Sequence, residues 1–312
     1  MYWTLGDWVV GFLVSLAIVL AMVAASPKKP EPPLVPTLRV GFLGNSIQYY
    51  NDLPRVMERL MDMSGMALVH EACFRGGASL ASLLRRGNGM RGKMKWPDVG
   101  PDTVVELFKT KRPQFVVLND YTQAPARAES RDASIQTLVE SYAPLLRASG
   151  ATPILLSTYS YRAHAKGSDD VGSIPDEFTA KLDAGYDAYA AALKAVLPTK
   201  LAPRVARVGQ AFLTVHRERP DLWRDLFFVD DFHPSPAGTF LQACVLYCLL
   251  CDLPPPLPAS EDDVNSLWRN ARYMQPDGPE PSRLPTPTEC AYLRDVAIRL
   301  VLPEDQRSER GV

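Results

Sequence analysis

Four short stretches hold residues whose types and spacing suit nucleophilic chemistry at a carbonyl. Gly44-Asn45-Ser46 closes an apolar run, Arg75-Gly76-Gly77 and Asn119-Asp120 close the next two, and Asp230 lies three residues before His233 in VDDFHPSPAG. A serine nucleophile needs a base within hydrogen-bond reach, a group that orients the base, and donors aimed at the oxyanion that forms on attack. Ser46 sits where a tight turn leads from strand to helix, with Gly44 permitting the turn. The spacing of Asp230 and His233 lets one loop present imidazole and carboxylate together, with Pro234 stiffening the chain after them. Asp230 then fixes the tautomer of His233 and leaves the other ring nitrogen for the Ser46 proton.

A glycine at 77 lets its backbone N–H approach a bound carbonyl, and the carboxamide of Asn119 can donate a second bond. Two positions stay open: Gly76 competes with Gly77, and Asp231 competes with Asp230. The other three histidines lack such a setting. His70 falls in a strand pattern, His164 in a polar loop and His216 beside Arg217, so each reads as structural or solvated. Any one of these stretches alone has the composition of an ordinary turn or helix cap; their joint presence carries the reading.

Elements that could position these residues alternate as in an α/β domain with a parallel sheet. Strands are expected at Leu38–Leu43, Ala67–Cys73, Gln114–Leu118, Thr152–Ser157 and Arg204–Val208. Helices are expected at Pro54–Met63, Thr103–Thr110, Ser134–Ala148, Asp176–Val196, Pro236–Leu250 and Glu289–Leu300. That count suits a five-stranded, three-layer sandwich. Ligands of open parallel sheets bind beyond the carboxyl ends of the strands, which is where the four stretches fall. Gly87–Pro101 reads as an insertion near the site and Pro276–Pro287 as a loop before the last helix.

Of the 312 residues 46% are hydrophobic and 22% charged, with a formal net charge of -1. No basic run offers a footprint for nucleic acid or anionic lipid, so a small or neutral substrate fits better than a polyanion. Five cysteines do not complete a four-thiolate metal site. Cys244, Cys248 and Cys251 recur at helical spacing in an apolar run, the pattern of a buried helix face.

The uncharged run Trp8–Ala25 is long enough, at about 1.5 Å per residue, to cross most of a bilayer core. Residues 1–26 are read as a membrane anchor or a signal peptide, since Val23-Ala24-Ala25 also offers small residues for cleavage. The expected organisation continues with a Pro-rich linker (27–36), the catalytic domain (37–302) and a polar tail (303–312). Lys28 and Lys29 favour a cytoplasmic C-terminal flank, and no N-x-[ST] site argues for the other side; the side of the membrane stays open.

Taken in order, Gly44-Asn45-Ser46, Gly77, Asn119 and Asp230/His233 resemble the four sequence blocks of the SGNH (GDSL-like) hydrolase superfamily, over about Leu38 to Leu250. HPSPAG is the most specific match. Asn45 stands for the commoner Asp, and Val117 where a Gly-x-Asn-Asp block has Gly. The resemblance implies a flavodoxin-like fold and a Ser46, His233, Asp230 triad. It implies an oxyanion hole of Ser46, Gly77 and Asn119, with no cofactor and no metal. Hydrolysis of a carboxylic ester, acetyl esters of glycans or lipids included, is the leading expectation. A membrane-anchored O-acetyltransferase acting on a sugar hydroxyl is similar in layout, with Tyr49, Tyr50, Tyr121, Tyr159 and Tyr161 available for stacking. A silent binding domain of the same fold would have no need of Ser, His, Asp and Asn together.

Overall fold

The computed structural model describes residues 35–90, 100–163, 171, 174–272 and 283–307. The hydrophobic run 8–25, most of the Pro-rich linker, the middle of the Gly87–Pro101 stretch, His164, residues 276–282 and the end of the polar tail lie outside the described residues. Among the described residues no helix is long and apolar enough to cross a membrane.

Five strands form one parallel sheet in the order β2-β1-β3-β4-β5. They are β1 (Thr37–Gly44), β2 (Ala67–Phe74), β3 (Phe115–Leu118), β4 (Thr152–Leu156) and β5 (Arg204–Ala206). The last five residues of β1 are all buried, the near-continuous apolar reading of a strand covered on both faces. Alternate side chains divide between two cores: Val40, Phe42, Val117, Ile154 and Leu156 face one, and Leu43, Val116, Leu118 and Leu155 the other. A helix layer covers each face, which makes the three layers expected from the sequence.

Ser46–Tyr49 (α1) and Leu53–Met63 (α2) follow β1, and Leu80–Arg86 (α3) follows β2. Ala128–Thr137 (α4), Pro175–Val196 (α5), Val208–Glu218 (α6), Pro236–Cys251 (α7) and Pro287–Val301 (α8) complete the longer or site-bearing helices. The first core takes in Leu53 and Met57 of α2, Phe212 of α6, and α7 and α8; the second takes in Leu80 and Leu83 of α3 and Tyr186 and Tyr189 of α5. α7 is buried on nearly every side, as a helix apolar all round must be. Its Cys244 and Cys248 lie in that core, and burial pushes the Cys248 thiol up to about 12. Among the described residues no group of His, Cys, Asp or Glu could hold a metal ion.

The differences from the sequence reading have local causes. The helix expected at Ser134–Ala148 begins at Ala128 and passes through a π-turn, Leu138–Tyr142, before Ala143–Ser149. Pro144 has no N–H to give the carbonyl four residues back, so the helix widens just before it. The helix expected at Thr103–Thr110 also becomes a π-turn, from Leu107 to Lys111. β5 ends at Ala206 because Val208 already opens α6. The helix α3 was not expected; Ser79 and Ser82 cap it reciprocally.

Candidate active site

Everything of chemical interest lies at the carboxyl edge of the sheet, around β1, where the strand order reverses. Ser46 is the first residue of α1, and Asn45 caps it: Asn45 Oδ1 accepts from Ile47 N–H at 3.1 Å. Asn45 Nδ2 donates to the carbonyls of Ala78 and Asp120, both at 2.9 Å, so the residue before the serine is tied to the loops after β2 and β3. Gly44 admits no side chain, since a Cβ there would stand 1.8 Å from Asn119 Oδ1.

Asn119 is buried at the end of β3, against Gly44 and Asn45. Its Oδ1 accepts from Asn45 N–H at 3.3 Å and from Gln48 Nε2 at 2.7 Å, and a backbone N–H fixes which end of the amide is oxygen. Its Nδ2 then donates to Asn45 Oδ1 at 2.8 Å and to the Asp120 carbonyl at 3.0 Å. The residue is 1% exposed. Asn119 stands behind Gly44 and Asn45 at the end of β3 and is not among the residues lining the cavity. Beside it, the buried Asp120 carboxylate accepts from Leu80 and Tyr121 N–H and from the hydroxyls of Ser134 and Tyr189.

The loop carrying His233 is closed by an antiparallel bridge between Phe227 and Pro234, with Phe228 N–H donating to the His233 carbonyl at 2.8 Å. Arg162, just past β4, clamps this loop: Nε meets Asp231 Oδ1 at 2.5 Å, while Nη1 and Nη2 donate to the carbonyls of Arg224 and Phe228. Asp231 is thereby engaged away from His233. Asp230 takes the orienting position, with Oδ2 2.7 Å from His233 Nδ1 and Oδ1 accepting from His233 N–H at 3.0 Å. Burial opposes the charge on Asp230, yet the hydrogen bonds from the His233 ring, His233 N–H and Phe232 N–H outweigh it and hold the carboxyl below its ordinary range.

A carboxylate can only accept, so Nδ1 of His233 carries the hydrogen and Nε2 the lone pair. Nε2 is buried and has no hydrogen-bond partner among the described residues. Two rings lie against the imidazole: Tyr50 stacks on it at 4.1 Å and 7°, and Phe232 lies at 3.8 Å and 40°. Because the folded pKa of Asp230 is lowered, the pair is intact above the ordinary carboxylate range, about 4, and is lost as pH falls through the lowered value. Carboxyl-carbon NMR is expected to place the Asp230 midpoint below that of free Asp, and His233→Ala is expected to raise it. A midpoint unmoved by that substitution would refute the coupling.

Ser46 and His233 share the wall of one cavity of about 460 Å³. Asn45, Gly76, Gly77, Thr122 and Gln123 also line it, and Tyr49, Tyr50, Tyr121, Tyr161 and Phe232 make much of its wall aromatic. Gly77 holds φ of 62° in a turn closed by Ala78 N–H to the Arg75 carbonyl, at the third position, where glycine is favoured. Both Gly76 and Gly77 border the cavity, so the choice between them stays open. Of the tyrosines expected near strand ends, Tyr159 is not at the cavity: it is fully buried and stacks on Phe212 at 4.0 Å. His70 pairs with Glu58 at 3.6 Å, and His216 packs against Trp223.

Asn51 was missed by the sequence reading. It is buried, and its Nδ2 donates to the Pro234 carbonyl at 2.7 Å and to Thr239 Oγ1 at 2.9 Å. It thus joins the serine segment directly to the histidine loop. A polar residue between Tyr50 and Asp52 looks like a surface turn in sequence, and no local signal sets it apart.

Sheet order, helix layers and the position of the cavity define a doubly wound α/β protein with serine and histidine at its switch point. Among solved structures, it is similar to a DUF4886 family protein from Bacteroides uniformis, with a TM-score of 0.60 at 14% identity over 85% of this chain and 95% of that one. That similarity establishes a shared fold. A provisionally assigned SGNH hydrolase from Slackia heliotrinireducens is 25% identical, with a TM-score of 0.48, covering 67% of this chain and 97% of its own. A GDSL-like lipase from Bacteroides thetaiotaomicron is 17% identical, with a TM-score of 0.40 over 75% and 93%. No family model and no curated protein sequence matches the chain.

Proposed function

We propose that this protein is a serine hydrolase of the SGNH type that cleaves an uncharged carboxylic ester. The observation that supports this reading best is the oriented imidazole: Asp230 occupies Nδ1 of His233, and Nε2, without a hydrogen-bond partner among the described residues, belongs to a residue that lines the same cavity as Ser46. Ser46 Oγ attacks the acyl carbon, His233 takes its proton and passes it to the departing alcohol, and water then releases the acyl group by the same route. Among the described residues the cavity wall carries no Lys, Arg, Asp or Glu, and neutral ester groups suit such a lining. Residues 8–25 would attach this activity to a membrane or send it into a secretory route.

The test is labelling with a fluorophosphonate probe and turnover of p-nitrophenyl acetate, butyrate and octanoate. One probe per chain, located on Ser46, is the expected result. A folded protein that takes no probe and turns over none of the three esters sinks the reading.

A further inference from the structure

The short helix that opens with Ser46 also delivers a ring to the base. Tyr50 follows the last residue of α1, and its N–H donates to the Ser46 carbonyl at 3.0 Å, so nucleophile and ring belong to one helical turn. The ring is buried, with Phe228 against it at 5.3 Å, and lies face to face on the His233 imidazole, the centroids 4.1 Å apart and the planes 7° from parallel. The hydrogen bonds of Nδ1 and Nε2 lie in the imidazole plane, so a ring on its face competes neither with Asp230 nor with proton transfer at Nε2. The Tyr50 hydroxyl has no hydrogen-bond partner among the described residues, and the face of the ring is the part of this side chain that meets the base.

We propose that Tyr50 is a positioning residue whose π-face holds the His233 imidazole and stabilises the imidazolium formed in the reaction; this rests on the hydrolase reading above. As Ser46 Oγ bonds to the acyl carbon, its proton passes to His233 Nε2, the carbonyl π-electrons move onto oxygen, and the imidazole ring acquires a full positive charge. The face of an aromatic ring carries the negative part of its quadrupole and attracts a cation within about 6 Å of its centroid. When the alkoxide leaves it takes that proton, and the attraction relaxes with the charge. The stack therefore favours the charged intermediate over the resting state, which is the difference that accelerates a reaction. Asp230, from the same loop as His233, faces the imidazole at Nδ1, and Asp231 is paired with Arg162 from beyond β4. The phenols of Tyr49, Tyr50 and Tyr159 are all raised by burial, so none carries charge at neutral pH.

Tyr50→Leu keeps an apolar cover over the imidazole but removes the π-face. In the free protein, nitrogen NMR is expected to show the His233 titration midpoint falling by about 0.5–1 pH unit, the loss of one cation–π contact, with His233→Ala assigning the signal. Tyr50→Phe keeps the face and should restore the wild-type midpoint. Pentafluorophenylalanine in place of Tyr50 keeps the shape of Phe but reverses the sign of its face; it should lower the midpoint as Leu does, and it serves where Tyr50→Leu fails to fold. On p-nitrophenyl acetate, kcat at its high-pH plateau is expected to fall by about 10-fold with Leu and with the fluorinated ring, each measured against Tyr50→Phe, and the acid limb of the profile to move to lower pH. A ring that only fills space would make the fluorinated variant indistinguishable from Tyr50→Phe in both readouts. A midpoint that stays or rises in the fluorinated variant overturns this inference alone, whereas a wild-type protein with neither turnover nor probe labelling overturns the hydrolase reading with it.

Discussion

Ser46→Ala is expected to lower kcat on p-nitrophenyl acetate by about 10⁴- to 10⁶-fold, His233→Ala by a similar amount, and the double variant by no more than the worse of the two. The reason is that the residues act as one unit: without the hydroxyl there is nothing to activate, and without Nε2 the hydroxyl keeps its proton. What activity remains comes from the oxyanion donors and from binding. His233→Ala also removes the bond to Asp230 Oδ2, and Ser46→Ala the one to Tyr49, so circular dichroism and urea unfolding of each variant are needed to show that the rates are read on folded protein. Losses that simply add, or a Ser46→Ala protein that retains more than a hundredth of the rate, would contradict the shared mechanism.

The largest expected effect on stability is at Arg272. Asp52 is wholly buried, and Arg272 meets its carboxylate through Nε at 2.6 Å, Nη2 at 2.8 Å and backbone N–H at 3.0 Å. Arg272→Ala leaves that charge buried and uncompensated, which costs about 3–5 kcal/mol. Asp52→Asn with Arg272→Met should recover much of the loss, since no charge is then enclosed; Asn also tolerates the left-handed φ of 56° at this position. The control is Arg283→Ala, which breaks a half-exposed pair with Glu289 and Asp225 and is expected to cost only about 0–1 kcal/mol. Urea unfolding measures all three. An Arg272→Ala loss as small as that of Arg283→Ala would show that water reaches Asp52. Asp52 follows Asn51 at the start of α2, so activity is expected to fall with stability in this variant.

The strands were legible because a sheet buried on both faces needs apolar runs, and the turns after them stood out by Gly, Asn and Ser. Asp230 and His233 were legible because their partnership is local, three residues apart in one loop. Asn119 shows where such reading stops. Its residue type and strand-end position are those of an oxyanion donor, but the role depends on where the amide hydrogens point. One partner of that amide, Asn45, lies 74 positions away in the chain, at the end of β1. Tyr50 and Arg162 are similar cases: one stacks on the imidazole and the other clamps its loop, and both contacts join segments far apart in the chain. The short helices α3 and Glu261–Leu267 carried capping signals in Ser79/Ser82 and Ser260/Asp263. These were readable, but each helix is only seven residues long and weakly periodic.

The bonds from Asn51 to Pro234 and Thr239 span 183 and 188 positions of the chain. Contacts so remote in sequence close a very long loop, and such closures come after local structure has formed. A ribosome-bound chain that has exposed β1 and Ser46, but not yet the loop of His233, has its nucleophile and no base. On the proposed mechanism the growing polypeptide is inert toward esters throughout most of its synthesis, and competence arrives in one step when that loop docks against Asn51.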